Sequence, residues 1–172
     1  MMKPYVHLQR SYHSFALRRI VPAVLLLSLL LLAGCSGSSG NSGNTAEWDL
    51  ADLSNRLSTE ITYTDTLSEM DDSLMDYLYP DIDSADVSEK IIYISSGSTA
   101  EEIAAFQAVD EKAAERIEEG LKKRIEQQTE SFTDYVPEEV KRLEDAVLVR
   151  NGSYVILSVS GDPDKAKDIL KK

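Results

Sequence analysis

Chemistry in this chain has to come from carboxylates, hydroxyls, amines, two imidazoles and a single thiol. Its 172 residues hold 30 Asp+Glu, 18 Lys+Arg, two histidines and one cysteine, for a net charge of −12. Asp81, Asp83 and Asp86, with Asp71, Asp72 and Asp76 just upstream, have the density of a Ca²⁺ loop. The pattern fails at the positions that matter. Ala85 stands where a fifth-position ligand belongs, Asp86 replaces the turn glycine, and Ile92 replaces the closing bidentate glutamate. These acids read as a solvated loop, and no metal or cofactor is expected. Ser95-Ser96-Gly97-Ser98-Thr99 ahead of a helix could receive an anion, but it lacks the phosphate-loop spacing and reads as a capped turn. Paired carboxylates could hydrolyse glycosides, although no spacing in the sequence sets two of them at a working separation. No S-x-x-K stands at a helix start, so a Ser-Lys dyad is unsupported.

The remaining reactive group is Cys35, and its surroundings are specific. Arg18-Arg19 precede the uncharged run Ile20–Leu32, and Leu32-Ala33-Gly34-Cys35 follow. Thirteen uncharged residues are too few for an ordinary membrane span of about 20 but suit a signal-peptide core behind a basic flank. Leu32-Ala33-Gly34-Cys35 resembles the lipobox of bacterial lipoproteins. That resemblance implies diacylglycerol on the Cys35 thiol and cleavage between Gly34 and Cys35. Residues 1–34 are then a lipoprotein signal peptide, and the protein sits on the extracellular face of the cell membrane, held by lipid.

Such a partition changes the composition. His7 and His13 lie in the leader, with Lys3, Arg10, Arg18 and Arg19, while every acidic residue falls from Glu47 onward. The remaining domain is near −16, has no histidine, and spends its cysteine on lipid. Cys or His nucleophiles, Ser-His-Asp triads, His/Cys zinc sites, His-ligated haem and internal disulfides all drop out. The acidic balance also speaks against nucleic acid and against lying flat on an anionic membrane.

The elements behind these residues follow from periodicity. Residues 35–46 form a lipidated cysteine and a flexible Gly/Ser/Asn linker, and 47–172 form one domain. Leu50, Leu53, Leu57 and Ile61 predict a helix over 46–61, with Asn44 and Glu47 as a capping box. A short strand or extended segment falls within 63–70 and a short helix over 73–79, ended by Pro80. The apolar run over 87–95 predicts a buried strand. Ser98 and Glu101 read as a capping box for a long helix from Thr99 to about Gln128, with Ile103, Phe106, Val109, Ala113, Ile117, Leu121 and Ile125 as its stripe. A short helix follows over 138–143. Asn151-Gly152 predict a hairpin that pairs Val149 with Tyr154 and Val147 with Ile156. Asp162 and Pro163 start a last helix. The expected fold is α+β: a mainly antiparallel sheet of three or four strands, including the C-terminal hairpin, packed on a long amphipathic helix and shorter helices.

TAEEIAAFQAVD (99–110), KKRIEQQTESFTDYVPEEV (122–140) and AVLVRNGSYVILSVS (146–160) resemble a family of lipoproteins found mainly in Firmicutes and catalogued as domain of unknown function 4358. The resemblance implies a lipoprotein of Firmicutes-like source and supplies no reaction. The expected role is a membrane-anchored extracytoplasmic binding or accessory domain, non-catalytic, with an envelope protein as partner. The competing readings are a carboxylate-dependent cell-wall glycan hydrolase and a lipoprotein that binds a small solute.

Overall fold

The computed structural model describes residues 48–171. Cys35, Gly34, the leader and the whole linker, Asn44 included, lie outside the described residues, as does Glu47. Asp49 caps the first helix, its side chain accepting the Asp52 N–H at 2.9 Å. That helix, α1, spans Leu50–Glu60 and buries Leu50, Leu53 and Leu57, the stripe the spacing predicts. Strand β1 is only Ser68–Glu69. A 3₁₀ turn over Asp72–Leu74 leads into the single-turn helix α2, Met75–Leu78, and Pro80 closes this segment. Strand β2 spans Val87–Ile94.

The long helix starts later than its stripe predicts. Residues Glu102–Ala108 form a strand, β3, and helix α3 spans Glu111–Thr133. Asp110 caps α3, accepting the Ala113 N–H at 2.7 Å. The supposed cap pair, Ser98 and Glu101, lies instead in the β2–β3 connection and at the foot of β3. The apolar residues at 103 and 106 match a helical period by coincidence. Their real setting is a central strand buried on both faces, where a continuous run of small and apolar residues is favoured over alternation. Val109, placed in the stripe by the sequence, is exposed in the turn, whereas Ala113, Ile117 and Leu121 are buried as expected.

Helix α4 spans Pro137–Glu144, β4 Val147–Asn151, β5 Tyr154–Val159 and α5 Pro163–Leu170. The five strands form one antiparallel sheet in the order β1-β2-β3-β5-β4, against the three or four strands expected from the sequence. In the hairpin, Asn151 pairs with Tyr154, Val149 with Ile156 and Val147 with Ser158. The turn is therefore Gly152-Ser153, not Asn151-Gly152. Of the two turn residues only Gly152 has positive φ, 57°, as a type II′ turn requires at its first central residue. A two-residue shift in pairing leaves every side chain on its predicted face.

Helices cover both faces of the sheet. On one face, Trp48, Leu53 and Leu57 of the N-terminal segment share a core with Ile103, Ala105, Ile156, Ala166, Ile169 and Leu170. On the other, Ala113, Ile117 and Leu121 of α3 pack with Tyr79, Ile92, Ala104, Phe106, Val155 and Leu157. Ala104 and Ala105 let both helical layers approach the middle strand. Gly120 serves the same end in α3: a Cβ there would stand 2.6 Å from Ile82 Cγ1 and 2.9 Å from the Asp81 carbonyl oxygen.

Candidate functional site

Helix α3 is longer than the strand it covers. Its 23 residues rise about 34 Å, against about 23 Å for the seven of β3, so one end overhangs the sheet. Along its inward face the residues change character. Ala113, Ile117 and Leu121 meet the apolar sheet, and then Arg124 and Gln128, on the same face, meet the start of β3. Here the chain buries Glu102, and the helix supplies the donors that make this tolerable.

The Glu102 carboxylate is fully engaged. Its Oε2 accepts from Arg124 Nη2 at 2.8 Å, Arg124 Nε at 3.2 Å and Gln128 Nε2 at 2.8 Å. Its Oε1 accepts from the Tyr79 hydroxyl at 2.8 Å. Arg124 also lies over the Tyr79 ring, 5.2 Å from its centroid, and that ring meets Phe106 edge-on. Burial works against the charge on Arg124, but attraction to Glu102 and the hydrogen bonds raise its pKa above the ordinary value. Burial, then the Glu102 charge, push the Tyr79 hydroxyl well up, so it remains a donor.

A second buried ionic group adjoins the first. Glu101 accepts the backbone N–H groups of Thr64 and Asp65, each at 2.8 Å. Arg142 of α4 stands 3.3 Å from Glu101 and donates to Glu139 at 2.8 Å, and Glu139 accepts the Ala100 N–H at 2.8 Å. Asp65 in turn accepts the Ser96 N–H at 2.9 Å. The Ser96 hydroxyl, then that N–H, hold the Asp65 carboxyl below the ordinary carboxylate range. The segment after α1, the β2–β3 connection and α4 are thus fastened together at one end of the sheet.

Over this end opens a cleft of about 440 Å³. Arg124 and Gln128 are in its floor, Leu78, Ile94 and Phe132 in its walls, and Tyr77 at its mouth, 80% exposed. Arg124 spends Nε and Nη2 on Glu102 and is also hydrogen-bonded to the Tyr79 side chain. One polar group on the floor keeps unused capacity. Gln128 donates one N–H, and its Oε1 accepts no hydrogen bond from the described residues.

The candidates singled out in the sequence are not in this cleft, apart from residues of the Ser95–Thr99 turn. That turn precedes a strand, so it offers no helix N-terminus to an anion. The acidic cluster is dispersed. Asp81 pairs with Lys123, Asp72 with Lys90, and Asp86 takes a two-pronged contact from Arg116. Asp71 and Asp83 cap 3₁₀ turns. Among the described residues no group of three or more acidic, histidine or cysteine side chains could hold a metal. Nor is any described helix long and apolar enough to cross a membrane.

The sequence reading missed Glu102, Arg124, Gln128 and Tyr79. The available signal was Glu101-Glu102 set directly against the apolar run Ile103–Phe106. Two acids at the head of a buried strand require partners, and placing them in a helix's first turn concealed that need.

A model of the family described as domain of unknown function (DUF4358) matches residues 59–160, a span that includes every cleft residue and stops short of α5. No curated protein and no solved structure matches the chain.

Proposed function

The chain belongs to the DUF4358 family, and on that premise we propose that it is a lipoprotein whose folded domain binds an envelope partner without catalysing a reaction. Diacylglycerol on Cys35 holds it to the outer face of the cell membrane, after cleavage between Gly34 and Cys35. The ordered run of Arg18-Arg19, Ile20–Leu32 and Ala33-Gly34-Cys35, followed by the Gly/Ser/Asn linker, supports the anchor. Two acyl chains hold stably where one alone does not. The observation that carries the binding role is the state of the acids at the cleft. Glu101, Glu102 and Glu139 are each occupied by arginine or backbone donors. A glycoside hydrolase needs a protonated acid facing a second carboxylate across its substrate. Here the buried carboxylates are committed to holding the fold, and a cleft of this size fits a ligand.

The anchor is tested by feeding cells a labelled fatty acid. The wild-type chain takes up label and the Cys35→Ser variant does not; label on the variant would overturn the assignment. The binding role is tested by cross-linking in intact cells, followed by detergent extraction. One recurrent envelope protein should be recovered with the wild-type chain, and recovery of none across growth conditions would count against the role.

A further inference from the structure

We propose that the cleft between α2 and α3 receives an uncharged peptide segment of a partner protein, which seats one apolar side chain and presents a backbone amide to Gln128. The proposal rests on the binding-module reading and is independent of the lipid anchor.

The volume, about 440 Å³, lies in the range of ligand sites, roughly 300–1,000 Å³. Leu78, Ile94 and Phe132 make its walls apolar, so an aliphatic or aromatic group fits there. The floor is selective. The Gln128 amide offers Oε1 as acceptor with one N–H besides. A donor beside an acceptor matches the C=O and N–H of a peptide unit.

Charge narrows the choice. A cation would need a carboxylate, but the Glu101 and Glu102 side chains are 0% and 2% exposed and already bonded. An anion would approach Arg124, whose charge Glu102 already answers, on a domain of net negative charge. A neutral amide meets neither obstacle. At the mouth, Tyr77 at 80% and Leu74 at 38% exposure supply the amphipathic contact area that protein interfaces favour.

The test is methyl-detected NMR on the full chain in detergent micelles, titrated with N-acetyl-leucine N-methylamide and, separately, with N-acetyl-leucine. The amide should shift the methyls of Leu74, Leu78 and Ile94 saturably, and leave Ile156 on the opposite sheet face unmoved. The carboxylate should bind about tenfold more weakly or worse. Tyr77→Ala, at an exposed position, and Gln128→Met should each weaken the amide severalfold. No saturable shift up to the probe's solubility limit would overturn the proposal, as would a preference for the carboxylate. Cross-linking separates this from the broader reading. A Tyr77→Ala chain that still captures its envelope partner at wild-type yield would sink the cleft assignment and leave the binding role standing.

Discussion

At the scale of single residues, the domain depends on buried charge matched by buried charge. Glu102 and Arg124 are almost wholly enclosed, with side-chain exposures of 2% and 16%. Removing one member strands the other. Glu102→Leu is expected to cost about 3–5 kcal/mol in urea unfolding, and adding Arg124→Met should recover most of it. An additive double variant would show that the pair is not coupled. Titration gives each end of the pH scale its own limb. The Arg116 hydrogen bonds hold the Asp86 carboxyl below its ordinary range, so the fold favours the ionised form. That contribution is complete above about pH 4, the unfolded value, and fades as pH falls further. Tyr79 behaves oppositely. Its raised pKa means the fold favours the neutral phenol, so its contribution is complete below about pH 10 and fades as pH rises beyond it. Denaturant midpoints from pH 3 to 11 should show both limbs. Arg116→Gln should flatten the acid limb, and Tyr79→Phe the alkaline one.

At the scale of elements, the structure separates what periodicity reveals from what it hides. Helix α1 was legible because Leu50, Leu53 and Leu57 recur against a solvated opposite face. Helix α5 was legible because Asp162 accepts the Lys165 N–H and Pro163 needs no partner for a missing one. The faces of β4 and β5 were legible because alternation survives an error in the turn. Strand β3 was not. A strand covered on both sides has no polar face to set a period, and its alanines suit a helix when considered alone. The cleft was hidden for a related reason, since it needs Glu102 opposite Arg124, 22 positions later. A helix-interior glycine gives an element-scale test. Gly→Ala ordinarily stabilises a helix by about 1 kcal/mol. At Gly120 the new methyl would meet the Asp81 carbonyl oxygen and Ile82, so Gly120→Ala should destabilise by about 1–2 kcal/mol in thermal or chemical unfolding. A higher midpoint would mean that the 81–82 segment yields easily.

At the scale of the whole molecule, the two ends of the domain complete a single layer. Leu50, Leu53 and Leu57 share their core with Ala166, Ile169 and Leu170. Deleting residues 163–172 should therefore expose α1 and the outer face of β3 together. The expected outcome is dye binding and rapid proteolysis of the whole domain, beyond simple fraying at its C-terminus; an intact, protease-resistant remainder would contradict it. The middle strand makes the same demand, because β3 lies between β2 and β5 and remains an open edge until residues 154–159 arrive. Synthesis runs from the N-terminus, so β2 and β3 exist as a loose thread before their last partner does. Order of emergence, written into the strand order, then acts as a clock: the sheet closes only once residues 154–159 have been made.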